Sequence, residues 1–225
     1  MSSNKQTKGK CAFCEREFTG GGLVRHLQAC DRRQEAIEKA QKGREQLLYH
    51  LYIKNFYASA FWLHLEMNGT ASLNDLDNYL RAIWLECCGH LSHFTYGQDP
   101  WGTEIDMDQT LEQIAEPDME MTHVYDFGSS TRTRIKVADV RRGKPLHEYP
   151  IYLMARNNLP EISCEECNKK AKWLYQDYDN PYGTVALCDK HLSDYSEKNG
   201  EGVLEIVNSP RLGVCGYTGP AVPPY

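Results

Sequence analysis

The chain has 225 residues, of which 41% are apolar, and a formal net charge of −6. This length accommodates one or two ordinary domains with small modules. No apolar run reaches the length of a membrane-spanning helix, and the polar, basic start MSSNKQTKGK lacks the apolar core of a secretory signal. We therefore expect a cytoplasmic protein with reduced thiols, in which nine cysteines indicate metal binding rather than disulfides.

The charge is distributed unevenly along the chain. Residues 1–45 carry ten Lys/Arg against six Asp/Glu, whereas residues 46–225 carry fifteen against twenty-five. A basic module on an acidic body favours nucleic-acid contact through residues 1–45, although a solvated basic helix explains the same pattern. The cations available for such a contact are Lys8, Lys10, Arg16, Arg25, Arg32 and Arg33.

The stretch CAFCEREFTGGGLVRHLQAC predicts a first zinc site with the ligands Cys11, Cys14, His26 and Cys30. A Cys-x-x-Cys turn presents two sulfurs to one ion, and a His and a Cys at i and i+4 lie on one face of a helix. The stretch resembles a two-Cys-two-His finger whose last His is replaced by Cys, with Phe18 and Leu23 at the positions of its apolar core. Zinc loss is then expected to unfold residues 11–30 and to affect the body less.

This finger has few of the side chains that contact base edges in DNA-reading fingers. Helix positions −1, 3 and 6 reach base edges in DNA-reading fingers, and they correspond here to Thr19, Gly22 and Arg25. Arg25 alone offers a strong base contact. The pattern therefore favours a small module that contacts phosphate groups or another protein.

The middle of the chain predicts an α+β body with a largely antiparallel sheet. A charged helix over 31–48 leads to the strands YHLYIKN and FWLHLEM, with Asn55 to Ala60 as their connector. Ser72 is a candidate N-cap with Asp75 at the capping-box position, and apolar residues at helical spacing follow up to Trp84. HLSHFTYG predicts a strand, TLEQIAE a short helix, and MTHVYDFG with RTRIKVADVRR a hairpin around GSS.

Two further clusters in the body are interpreted as structural. Cys87, Cys88, His90 and His93 crowd one short stretch with no second pair nearby in the sequence, so we do not expect a metal there. Asp106 and Asp108 indicate an acidic surface loop rather than a metal carboxylate site.

A second zinc site is predicted at Cys164, Cys167, Cys188 and His191. Two residues separate the members of each pair and twenty separate the pairs, which is typical of a zinc ribbon or knuckle. AKWLYQ and TVALC predict two strands joined by the turn DNPYG. Because four protein ligands leave no open coordination position, both zinc sites are expected to be structural.

The Pro- and Gly-rich tail SPRLGVCGYTGPAVPPY excludes a regular helix or a central strand. Cys215 is expected to pack on the ribbon or to offer a free thiolate, and no His or other base lies beside it in the sequence. Tyr217 and Tyr225 are expected to dock on the body.

Residues 46–145 resemble the plasmid pRiA open-reading-frame-three-like family, which is related to passenger proteins of transposons. The resemblance rests on FWLHLEM, SLNDLDNYLRAIWLECCGHLSHFTYG and VYDFGSSTRTRIKV, with TGGGLVRHLQAC and NSPRLGVCGYTGP as flanking pieces of extended members. It implies an α+β domain without an established activity and an association with mobile elements. Members follow DFG with Asp, Trp and His at alternating positions, but Ser129 to Thr133 supply none of these here. Asp126, Phe127 and Gly128 are therefore interpreted as a hairpin turn.

Together these patterns predict a non-enzymatic protein with two zinc ions that binds nucleic acid weakly or docks to a partner. A protein–protein adaptor without nucleic-acid binding is one alternative, and an enzyme using the acidic loop or Cys215 is another. The sequence shows no phosphate loop, nucleophile elbow or His-Glu-x-x-His helix. The predicted divisions are a zinc finger at 1–31, a helical linker at 32–48, the α+β domain at 49–160, a ribbon or knuckle at 161–195 and a tail at 196–225.

Overall fold

The computed structural model describes residues 6–177, 183–199 and 202–225, and it confirms the α+β class. The described helices are α1 Gly20–Gln28, α2 Asp31–Lys39, α3 Leu73–Leu80, α4 Leu111–Ile114 and α5 Asp189–Asn199. The described strands are β1 Lys8–Cys11, β2 Glu17–Thr19, β3 Gln46–Asn55, β4 Trp62–Asn68, β5 Ser92–Tyr96, β6 Glu104–Ile105, β7 Glu120–Tyr125, β8 Thr131–Gly143, β9 Ile151–Asn157, β10 Trp173–Asp177, β11 Gly183–Leu187 and β12 Val203–Glu205.

A large antiparallel sheet forms the body, with the strand order β2-β1-β9-β4-β3-β8-β7-β5-β6 over the described residues. Its centre is the long ladder of β3, β4 and β8, in which Tyr52 pairs with both His64 and Lys136. The predicted hairpin around the DFG turn is present, since Tyr125 of β7 pairs with Thr131 of β8. The first strand, β1, joins the sheet through β9, so the predicted finger shares backbone hydrogen bonds with the body.

One face of the sheet, here called the inner face, carries the main hydrophobic core. Apolar side chains that alternate along β3, β4 and β8, such as Leu51, Leu65 and Ile135, pack with the buried leucines of α3. The predicted capping box is confirmed, because Ser72 Oγ accepts from the N–H of Asp75, whose carboxylate accepts from the N–H of Ser72. A π-helical turn, Arg81–Leu85, then ends the helix before the Cys87 segment.

On the opposite, outer face, α1 packs on β1, β9 and β4, and α2 contacts β4 through Arg33. A Cβ on Gly20 would lie 2.8 Å from Tyr52 Oη and 3.1 Å from the Trp62 ring, so glycine permits the close approach of α1 to the sheet. Behind α1, Arg33 of α2 donates to Glu66 of β4 at 3.1 Å, and Arg141 of β8 donates to the same carboxylate at 2.6 Å. Both Arg33 and Glu66 are 3% exposed, which makes this a buried ion network.

One prediction of the middle region is wrong, and one strand of the sheet was not predicted. The helix expected over 31–48 ends at Lys39, and Gln46 already begins β3. Strand β9 was not anticipated at all, although it joins β1 to β4 at the centre of one half of the sheet. Its sequence, IYLMARN, was not recognised because the preceding HEYP segment and the following NNLP segment obscure its alternation.

The C-terminal residues form a second small sheet, β11-β10-β12, with a core of its own. Both predicted ribbon strands are present as β10 and β11, while residues 179–182 of the predicted turn lie outside the described residues. The chain after β12 returns to the body. Tyr217 is buried there, and Tyr225 contacts Tyr79 and Tyr149 with centroids 5.6 and 4.4 Å apart, which confirms that the tail docks on the body.

Candidate metal centres

The four predicted ligands of the N-terminal site lie together. Cys11 ends β1, Cys14 lies in the following turn, His26 projects from α1, and Cys30 immediately precedes α2. Their ligand atoms all lie within 4.8 Å of one another, and Cys14 Sγ is 3.3 Å from His26 Nε2. Burial, and then the charge of Arg16, lowers the pKa of His26, which keeps the imidazole in the neutral form that binds metal.

The core beneath this site belongs partly to the body. The His26 ring stacks on Phe18 with centroids 4.0 Å apart, and Leu23 and Leu27 are fully buried. The remaining buried members of this cluster include Trp62 of β4 and Met154 of β9. The finger therefore completes its small core with side chains from the large sheet.

The four predicted ligands of the C-terminal site also lie together. Cys164 Sγ and Cys188 Sγ are 3.5 and 3.6 Å from His191 Nδ1, and Cys167 Sγ is 3.8 Å from Cys188 Sγ. Burial alone would raise the pKa of Cys164, but hydrogen bonds led by the Cys188 backbone lower it to about 6, which favours the thiolate. Around the site, the buried residues Leu174, Leu187 and Ile206 form a core made by the ribbon itself.

A third cluster corrects the interpretation of the ECCGHLSH segment. The ligand atoms of Cys87, Cys88 and His90 meet that of Cys215 from the tail, and all four lie within 4.8 Å of one another. Cys215 is exposed and its Sγ lies 3.6 Å from His90 Nε2, so it does not pack on the ribbon. A histidine therefore lies beside it in space, although none lies beside it in the sequence. His93 is not part of the cluster and instead contacts Glu104 and the Pro100 carbonyl.

The spacings in the ribbon fit a tetrahedral zinc ion, and those in the finger and the third cluster lie near it except for one sulfur–nitrogen pair. With Zn–S of about 2.3 Å and Zn–N of about 2.05 Å, neighbouring sulfurs are about 3.8 Å apart, and a sulfur and a nitrogen are about 3.6 Å apart. The separations in the ribbon fall within 0.1 Å of these values, and the Cys14–His26 separation in the finger is 3.3 Å. In the third cluster two separations are 3.7 and 3.6 Å, whereas Cys88 Sγ and His90 Nε2 are 3.0 Å apart, about 0.6 Å closer than on a regular tetrahedral ion. Among the described residues, three Cys/His groups could therefore hold a metal, whereas the sequence predicted two.

The six predicted nucleic-acid contacts do not form one surface. Arg33 is buried in the Glu66 network and is not available to a nucleic acid, and Arg32 forms a surface ion pair with Glu35. Lys8 and Lys10 are exposed on β1, where register places them on the inner-face side of the sheet. Arg16 and Arg25 are exposed on the finger itself.

Another cationic surface lies on the outer face around β8. We call it the arginine–aromatic face, and it consists of Phe56, Tyr57, Trp101, Phe127, Arg132 and Arg134. The Arg132 guanidinium lies over the rings of Tyr57 and Trp101, 5.7 and 5.9 Å from their centroids. Arg134 lies 5.1 Å from the Phe56 centroid. No such surface was predicted from the sequence, where the alternation of Arg132 and Arg134 along β8 was the available signal.

The acidic groups named in the sequence have structural partners. Asp108 accepts from the amide of Asn74 and Asp106 accepts from the N–H of Asp108, both at the surface, as expected of an acidic loop. Asp126 is buried in the DFG turn, where its carboxylate accepts from the N–H groups of Gly128 and Ser129 and from Arg211.

No protein-family model matches this chain, and no curated protein sequence matches it. No helix of the described residues is long and apolar enough to cross a membrane. Among solved structures, the chain is similar to a protein of unknown function, MM3350 from Methanosarcina mazei Go1, with 18% identity and a TM-score of 0.40. That match covers 47% of this chain and 66% of the other, so the chain spans slightly less than two thirds of that protein.

Proposed function

We propose that this chain is a non-enzymatic, zinc-stabilised cytoplasmic protein that binds nucleic acid weakly in the setting of mobile elements. The observation that carries the proposal is the arginine–aromatic face. The mobile-element setting rests on the resemblance of residues 46–145 to the plasmid family.

The chemistry of this face suits single-stranded nucleic acid. Exposed aromatic rings stack with bases of any sequence, and arginines beside them contact phosphate and add cation–π attraction. Trp101 is 51% exposed and Tyr57 67% exposed, which leaves ring surface available for bases. Among the described residues, neither Arg132 nor Arg134 has a carboxylate within ion-pair distance.

The finger supports the same proposal in a secondary role. The hydroxyl of Thr19 accepts from the N–H of Gly22, so the first base-reading position acts as the N-cap of α1. Arg25 and Arg16 remain exposed and suit phosphate contact without sequence readout. Four protein ligands at the finger and at the ribbon favour structural zinc over a hydrolytic centre.

A binding titration tests this proposal. Fluorescence anisotropy of labelled single-stranded and duplex DNA and RNA is measured with the full chain at low and moderate salt. We expect binding that weakens with salt and prefers single strands. Trp101→Ala removes one stacking platform and is expected to weaken single-strand binding on the order of 5- to 150-fold, since one stacked base contributes about 1–3 kcal/mol.

Arg142→Ala is the matched control for Arg134→Ala, because both arginines lie on β8 and Arg142 is exposed away from the aromatic rings. Only Arg134→Ala is expected to weaken binding and reduce its salt dependence. Point variants are preferable to deletion of residues 1–45, which would remove β1 and uncover Trp62. Absence of binding to every probe would overturn the proposal and favour the protein adaptor, whose partner would stay bound at high salt.

A further inference from the structure

The cysteines of this chain divide into three sets of the same composition. All nine lie within the described residues, and each belongs to one of the three clusters of three cysteines and one histidine. The finger and ribbon sets follow recognised ligand spacings in the sequence. The third set joins Cys87, Cys88 and His90 to Cys215, which is 125 residues away from His90 in the chain. No cysteine is left over as an isolated apolar filler.

The backbone around the third set brings its four ligand atoms together. Gly89 has a φ of +76°, a left-handed conformation that glycine adopts readily, and it turns the chain so that His90 faces the thiols before it. Cys88 Sγ lies 3.0 Å from His90 Nε2, and Cys87 Sγ lies 3.7 Å from Cys88 Sγ. Cys215, also at a positive φ, completes the set from the opposite side at 3.6 Å.

Ordinary packing does not explain this convergence. Cysteines that act as small apolar fillers are buried, whereas Cys88 and Cys215 are both exposed. The Cys87–Cys88 sulfur separation of 3.7 Å is far beyond a disulfide bond of about 2.05 Å, and it is close to the separation of two thiolates on one zinc.

The residues around the third set supply a positive charge, and the nearby carboxylate of Asp126 already has hydrogen-bond donors of its own. Arg211 Nη2 lies 3.5 Å from Cys87 Sγ, so its buried guanidinium can offset the excess negative charge of three thiolates on a divalent ion. Asp126 Oδ2 lies 3.5 Å from His90 Nε2, but the carboxylate of Asp126 already accepts from Arg211 and from two backbone N–H groups. The hydroxyl of Tyr125 lies 3.7 Å from Cys87 Sγ on the inner side of the cluster.

We propose that Cys87, Cys88, His90 and Cys215 bind a third zinc ion, which fastens the C-terminal segment to the large sheet. The segment of residues 206–225 already contacts the body through Arg211, whose guanidinium donates to Asp126, and through Ser209, whose hydroxyl donates to the Trp84 carbonyl. A metal ion bound by Cys215 and by the Cys87–His90 segment adds metal coordination to these hydrogen bonds between the C-terminal segment and the body. Because two of its ligands are exposed, this zinc exchanges with chelators faster than the other two.

Native mass spectrometry of the full chain, purified under reducing conditions without added metal, tests the proposal. We expect three zinc ions in the wild type and two in Cys215→Ser, Cys88→Ser and His90→Gln. His93→Gln is the matched control, since His93 belongs to the same ECCGHLSH segment but lies outside the cluster, and it should retain three. Hydrogen exchange of peptides from 206–225 should rise in Cys215→Ser and stay unchanged in His93→Gln.

Cys215 lies at the surface in a short 3-10 turn, so Cys215→Ser is not expected to prevent folding. A wild type with two zinc ions would overturn the proposal. So would retention of three ions by both Cys215→Ser and Cys88→Ser. The proposal does not depend on nucleic-acid binding. The zinc count therefore tests the third metal site alone, and the titration tests nucleic-acid binding.

Discussion

The finger and the ribbon carry the same kind of ligand set but are joined to the body differently. Both consist of three cysteines and one histidine. The finger completes its core with Trp62 and Met154 of the large sheet, and its strand β1 hydrogen-bonds to β9. The ribbon has its own three-stranded sheet and its own core. A metal ion at the finger would therefore be expected to act on the large sheet as well as on the finger, whereas one at the ribbon would act on the ribbon module.

Removal of one metal ligand from the finger or from the ribbon should show which part of the fold each site stabilises. These variants are expected to produce the largest effect, a loss of hydrogen-exchange protection. Structural zinc contributes on the order of 10–16 kcal/mol of apparent binding energy in small fingers. Part of that energy is expected to stabilise the large sheet here, because the finger and the sheet share one core. We expect Cys11→Ser to reduce hydrogen-exchange protection in β1, β9 and β4. Cys164→Ser should reduce protection in β10 and β11 and leave the large sheet protected.

This expectation replaces the one drawn from the sequence, in which zinc loss unfolds residues 11–30 and affects the body less. Zinc content measured on the same samples confirms that each variant has lost one ion. A Cys11→Ser protein that keeps full protection in β4 and β9 would support the original view of an autonomous finger.

The buried ion network of α2 is expected to give the next largest effect. Glu66→Ala leaves Arg33 and Arg141 without their carboxylate, and loss of one partner from a buried pair costs about 3–5 kcal/mol. Urea denaturation measures the change in free energy of unfolding. Glu35→Ala is the control, because Glu35 pairs with Arg32 at the surface, where such pairs contribute about 0–1 kcal/mol. Equal effects of the two variants would show that α2 does not fasten the finger to the sheet.

A pair of buried histidines predicts that the stability of the finger–sheet junction depends on pH. His50 Nε2 lies 2.8 Å from His64 Nδ1, and His64 Nε2 donates to the Gly20 carbonyl at 2.9 Å. Burial, then the neighbouring His64 and Arg33, lowers the pKa of His50 well below its usual value, and burial lowers the pKa of His64 to about 3. Both rings are therefore neutral in the folded protein near neutral pH.

The sign of the pH effect follows from the protons bound in each state. Below pH of about 6.5 the unfolded chain takes up protons that the folded chain does not, so stability falls as pH decreases from there towards the folded values. The slope is at most about 1.4 kcal/mol per pH unit for each histidine. Urea denaturation at pH 7.5, 6.5 and 5.5 measures it, with zinc retention followed in parallel. A constant free energy of unfolding between pH 6.5 and 5.5 with zinc retained would contradict the prediction.

The local elements of this fold could be predicted because their signals lie within a few residues. The Ser72–Asp75 capping box, the DFG hairpin and both sets of paired ligands are examples, since their spacing reflects the geometry of one turn or one helix face. Long-range convergence could not be predicted in this way. Cys215 approaches His90 only because the chain returns across the sheet after the ribbon, and Arg33 is buried only because Glu66 and Arg141 meet it there.

The smallest expected effect concerns two adjacent glycines at the start of α1. A Cβ on Gly20 would lie 2.8 Å from Tyr52 Oη, whereas a Cβ on Gly21 would have no neighbour within 4 Å. Overpacking costs about 1–3 kcal/mol, and replacement of glycine by alanine in a helix contributes up to about 1 kcal/mol in the other direction. We therefore expect Gly20→Ala to lower the free energy of unfolding by about 1–2 kcal/mol, and Gly21→Ala to raise it slightly. If Gly20→Ala stabilises the protein as much as Gly21→Ala does, α1 does not press on the sheet, and the coupling of finger and body rests on β1 and α2 alone.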